Sequence, residues 1–115
     1  DRGSLRFMRA VSAAGAHMVF GHHPHVPYGV EVTDGKLIVH SLGNFVFRQP
    51  SRFRTQRGLA VGVELVKDST GVRIDSVACL PVSAGFQPRF LPPGSADADT
   101  TVRRTARFSR GIDID

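Results

Sequence analysis

The chain has 115 residues, 41% of them apolar, which is enough for one small domain or the tail of a larger one. No run of eighteen apolar residues occurs, which excludes a membrane-spanning helix from this stretch, and a lone cysteine, Cys79, excludes an internal disulfide. The net charge of +5, carried almost wholly by arginine, raises the local concentration of anionic polymers, phosphates or nucleic acid, although arginines 52, 54, 57, 103, 104, 107 and 110 sit in stretches that read as solvated loops.

The chain starts at Asp1 without a methionine and its first residues already read as mid-helix, so a truncated N-terminus is expected and an upstream signal or anchor, with a cell-envelope location, stays open. Residues 4–14 read as a helix, with Leu5, Met8 and Val11 at helical spacing, Ser4 as its cap and Gly15 as its stop. His17-Met18-Val19-Phe20 reads as a buried strand, ended by a loop with two prolines. Tyr28 to Val32 alternates, Asp34-Gly35 signals a tight hairpin, and Leu37 to His40 is the return strand; Glu31 and Asp34 read as hairpin residues facing solvent. Residues 48–57 read as a mobile arginine-rich loop. A second hairpin places Leu59, Val61, Val63 and Leu65 on one face, turns at residues 68–71 and returns through Val72, Ile74, Ser76 and Ala78, where Cys79 reads as a buried, inert thiol. An irregular strand over residues 82–91 follows, and residues 95–115, poor in large apolar side chains, read as a disordered tail after a domain over residues 1–94. The sum is an α/β chain: one N-terminal helix followed by mainly antiparallel strands and hairpins.

Gly21-His22-His23-Pro24-His25 is the sharpest chemical signal, because three of the five histidines fall within four positions directly after a strand. Neutral imidazole is the commonest side-chain ligand for zinc-, manganese- and iron-type ions, and a loop past a strand can aim two rings at one point. Spacing alone leaves metal ligands and exposed loop histidines as equal readings.

The segment from Gly15 to Val26, then Gly29-Val30-Glu31-Val32, Gly35-Lys36 and Ser41-Leu42-Gly43-Asn44-Phe45, resembles the CapA family of poly-γ-glutamate capsule synthesis proteins in order and spacing, with the likeness running through about residues 5–91. That resemblance implies the C-terminal part of a calcineurin-like metallophosphoesterase fold, a β-sandwich flanked by helices. It implies two divalent metal ions in the intact protein (Mn, Zn or Fe), a phosphate-containing or anionic-polymer substrate, and completion by a missing N-terminal part of the same domain. Carried over by position, it makes His22 and His25 metal ligands, His23 the weaker ligand candidate, and Gly21 and Asn44 pocket residues. In the intact protein a protonated His23 beside those ligands is then a candidate acid toward a leaving group. The superfamily's upstream Asp-x-His, Gly-Asp and Gly-Asn-His motifs do not occur in this chain, and the usual His-x-His spacing is His-His-Pro-His here. Two adjacent cations need carboxylates to offset their charge, so this chain alone is expected to bind metal weakly and not to turn over substrate.

A rival reading is a non-catalytic β-rich module that holds an anionic polymer on its arginine-rich loops. Nucleic-acid binding through Arg52, Arg54, Arg57 and Phe53 rests on one aromatic among arginines, so no specific nucleic acid is expected.

Overall fold

The computed structural model describes residues 2–112. Helix α1 (Arg2–Ala13) buries Met8 and Ser12 and ends before Gly15, whose φ of +125° suits a residue without a Cβ. It begins upstream of Ser4, so Ser4 lies in the first turn and is not the cap. No helix among the described residues is long and apolar enough to cross a membrane.

Strands β1 (Met18–Phe20), β2 (Val30–Thr33) and β3 (Lys36–Val39) form a sheet of order β1-β3-β2, parallel between β1 and β3 and antiparallel between β2 and β3. The Asp34-Gly35 hairpin forms as expected, with both residues at positive φ (52° and 69°). Strand β1 departs from expectation: it is an edge strand with one neighbour, and Met18 and Phe20 are 36% and 45% exposed.

Strands β4 (Arg57–Asp68) and β5 (Gly71–Ser83) make the second, long hairpin, extended by β6 (Arg89–Phe90). Asp68 Oδ1 accepts the Thr70 amide in its turn at 2.8 Å. The register jumps between Glu64 and Leu65, so strict alternation breaks there and Leu65 is exposed while Leu59 is buried.

The first sheet is covered on both faces. Strand alternation sends Val30, Leu37 and Val39 to one side, where they form the core with Ile74 of β5 and with Val61, Val63, Val77 and Cys79 packed around them. The other side carries Glu31 and Lys36 toward α1: Arg9 binds Glu31, and Lys36 Nζ donates to the Ser12 carbonyl at 2.8 Å.

Two segments read as disordered or mobile are built into this body. In the loop before β4, a 3-10 turn (Phe53–Gln56) buries Thr55, whose hydroxyl donates to the Gln49 and Arg52 carbonyls at 2.7 and 2.8 Å, and Arg57 is itself buried. Helix α2 (Ala96–Arg107) occupies most of the expected disordered tail. Its signals are polar rather than apolar: Ser95 caps it by accepting the Ala98 amide, Asp97 and Asp99 lie in the first turn, and Arg104 and Arg107 lie in the last. Its buried face is made of Ala98, Thr101 and Thr105, small residues that a search for large apolar side chains passes over. Beyond it the chain runs along the outer edge of β2, where the Arg110 amide donates to the Val30 carbonyl and the Val32 amide to the Arg110 carbonyl (2.9 and 3.0 Å). The segment after residue 94 therefore packs on the same body as the strands, while the part of the expected tail at residues 113–115 lies outside the described residues.

Candidate functional site

The histidine loop leaves β1 at Gly21, whose amide continues the parallel ladder by donating to the Val39 carbonyl at 2.7 Å. A Cβ at Gly21 would stand 2.3 Å from the His40 carbonyl oxygen, so this close approach admits only glycine. Past it, His22, His23 and His25 are all exposed. His23 and His25 hold positive φ (102° and 59°); the first lies well outside the left-handed helical well and is sparsely populated for any residue with a side chain.

Asn44 reaches this loop from the other conspicuous sequence segment. It is 6% exposed, and its side-chain amide donates to the Thr55 carbonyl at 2.8 Å and to Gln49 Oε1 at 3.3 Å. Both amide hydrogens are thus used, which leaves Oδ1 as the atom 2.7 Å from His25 Nδ1. Oδ1 can only accept, so His25 donates from Nδ1 and a neutral ring carries its lone pair on Nε2. Fixing the tautomer and direction of a histidine through its other nitrogen is how ligating imidazoles are prepared. Phe47, 5.4 Å from His25 between ring centroids, flanks the same ring.

His22 and His23 face a cleft of about 540 Å³ between α1, the histidine loop and the segment after α2. Its floor holds a charged cluster that sequence reasoning missed. Glu31 is 5% exposed and accepts from Arg9 Nη2 at 2.6 Å, from Arg9 Nε at 3.1 Å and from His40 Nε2 at 2.9 Å. Burial pushes its carboxyl up, but the Arg9 hydrogen bonds and the charges of His40 and Arg9 outweigh burial and hold it below the usual glutamate range. Glu31 was expected to face solvent because alternation sets it opposite Val30 and Val32; that face is covered by α1. The legible signal was His40, two positions from the cross-strand partner of Glu31 and therefore on the same face.

The described residues hold no group of three or more His, Cys, Asp or Glu side chains placed for a metal ion. The loop supplies imidazoles, one with a fixed tautomer, but no carboxylate: Glu31 is committed to Arg9 and His40, and Asp34 is an exposed turn residue. Among the described residues these side chains do not close a metal site.

Residues 1–49 match the family described as bacterial capsule synthesis protein PGA_cap. Over 63 residues, 55% of this chain, the sequence is 49% identical to the PGA biosynthesis protein CapA of Bacillus subtilis (strain 168). Over 41 residues, 36% of this chain, it is 49% identical to the capsule biosynthesis protein CapA of Bacillus anthracis. The chain spans only 16% and 10% of the length of these two relatives.

Proposed function

We propose that this chain is the histidine-loop segment of a CapA-type, metal-dependent phosphoesterase-like protein acting in poly-γ-glutamate or capsule production, a reading supported by the match of residues 1–49 to the bacterial capsule synthesis family and by the likeness to the Bacillus subtilis protein. The observation that carries this reading is the 2.7 Å bond from His25 to buried Asn44, because it joins the two segments that carry the family likeness and leaves one imidazole nitrogen free to ligate.

In this reading His22 and His25 hold a divalent ion, and carboxylate ligands come from residues outside these 115. A metal so held would supply Lewis acidity and lower the pKa of a bound water. The chain's own residues do the rest. Asn44 keeps the His25 ring in one orientation. Gly21 lets the loop cross close to β3. His23, exposed at the rim of the cleft, hands a proton to a leaving group in this reading. Glu31 stays ionised on the cleft floor but neutralised by its partners, so the cleft keeps the positive character of Arg107 and Arg110 for an anionic substrate.

A chimera tests both levels. The matched stretch of the Bacillus subtilis protein is replaced by the corresponding residues of this chain, and secreted poly-γ-glutamate and protein-bound metal are measured. Retained polymer production at normal protein level is expected, and its loss would overturn the functional equivalence. His25→Ala and Asn44→Ala in the chimera are expected to lower bound metal; unchanged metal content would remove His25 from the ligand set.

A further inference from the structure

A second feature lies away from the histidines. A groove of about 310 Å³ between the 3-10 turn and α2 is lined by Arg54, Arg57, Arg103, Arg104 and Arg107. Among the described residues only one of these five has a carboxylate partner, Arg57 with Asp97. Five guanidinium groups against one carboxylate is a concentration of like charge that repels itself unless an anion joins it.

The groove is also built rather than merely charged. Arg57 is 9% exposed, and its guanidinium stacks on Phe53 at 4.3 Å from the ring centroid. Arg104 stands 5.3 Å from the Tyr28 ring centroid and 5.4 Å from that of Phe108. Rings hold these two side chains in place, so less of their rotamer freedom remains to be lost on binding. The Nε atoms of Arg57 and Arg104 are both buried with no hydrogen-bond acceptor. A buried donor without an acceptor is costly, which marks both guanidinium groups as incompletely satisfied within the chain. The dipole of α2 accounts for a cation or two in its last turn, but not for Arg54 and Arg57 converging on them from the other wall.

The nearby hydroxyls narrow the ligand. Thr100 and Thr101 donate to the Ala96 and Asp97 carbonyls at 2.7 and 2.8 Å, so they offer lone pairs, not hydrogens, to a guest. The donors toward the groove are then guanidinium N–H groups, whose forked geometry matches planar or tetrahedral oxyanions.

We infer that the groove between the 3-10 turn and α2 is a binding site for a ligand carrying two or more oxyanion groups, carboxylate or phosphate. It shares Arg107 with the wall of the histidine cleft but none of the proposed metal ligands, and the groove arginines changed in its test, Arg54 and Arg103, lie outside that cleft. The test is calorimetric titration of the 115-residue chain at 150 mM NaCl with inorganic tripolyphosphate and, separately, with tri-glutamate. Saturable binding of at least one is expected, and the tighter probe identifies the oxyanion. Arg54→Gln with Arg103→Gln, both exposed positions, is expected to weaken it about tenfold or more, with an unchanged thermal midpoint. Arg2→Gln with Arg6→Gln, both exposed on α1, removes the same two units of charge elsewhere and is expected to leave affinity within about twofold. Absence of saturable binding of either probe, or an equal loss in the Arg2 and Arg6 double variant, overturns the site.

Discussion

His23 holds a backbone conformation that suits glycine, and it does so in the loop where chemistry is proposed. A sparsely populated φ costs about 1–3 kcal/mol, against about 0.5–1 kcal/mol of backbone entropy for a glycine. His23→Gly is therefore expected to melt at or above the parent temperature, and His23→Ala below His23→Gly. Calorimetry of the two variants checks this, and an alanine variant as stable as the glycine one would refute strain at this residue. Glu31 makes a pH prediction at the same scale. Its carboxyl is held below its ordinary value of 4.5, so the stabilisation is complete above that pH and is lost as pH falls through the lower folded value. Glu31→Gln removes the charge that Arg9 and His40 bind; with Arg9 44% exposed and partly screened, a loss of about 1–3 kcal/mol at pH 7 is expected. Thermal midpoints measured from pH 7 down to about pH 3 should fall less steeply for the variant than for the parent. Parallel curves would mean Glu31 contributes nothing to the acid transition.

At the scale of elements, the segment after α2 is what finishes the first sheet. It docks where β2 would otherwise present a bare edge, and Gly29 permits the approach: a Cβ there would stand 1.9 Å from the Phe108 carbonyl oxygen. The Ser109 hydroxyl also accepts the Val30 amide at 2.9 Å. Gly29→Ala must therefore push this segment off β2. A loss above about 2 kcal/mol is expected, a drop in thermal midpoint of order 10 °C for a domain of this size. Hydrogen exchange should localise the effect to the amides of Val32 and Arg110, which bond across this junction. Protection unchanged at both amides would show that the segment is not held as described.

For the whole molecule, stability rests on one small core shared by the two sheets. Leu37 is fully buried within it, between the first sheet and the β4–β5 hairpin. Leu37→Ala is expected to cost about 2–5 kcal/mol, a large fraction of the stability of any domain this small. Denaturant titration should show the midpoint falling for far-ultraviolet and near-ultraviolet signals together. A variant in which only one signal moves would mean the sheets unfold separately. Around that core, large apolar side chains such as Phe45, Val46, Phe86 and Phe90 remain more than half exposed.

Local chemistry made several features legible from the residues alone. Asp34-Gly35 needs positive φ at two successive positions, and alternation with a four-residue turn marks the long hairpin, so both can be read without knowing what packs where. The histidine loop and the Ser41-to-Phe45 segment were likewise visible, because they are short and contiguous. What stayed hidden depends on neighbours distant in sequence. Alternation tells which side of β2 Glu31 faces, but only the docking of α1 makes that side an interior with Arg9 in it. The composition of residues 95–107 lacks large apolar groups, and only the close surface of β5 gives α2 a neighbour against which small residues such as Ala98 are buried. Arg57 and Arg104 lie 47 positions apart and become one groove because α2 folds back beside the 3-10 turn. Periodicity and turn chemistry act over a few residues, whereas burial and charge pairing are properties of surfaces that exist only once the chain has closed on itself.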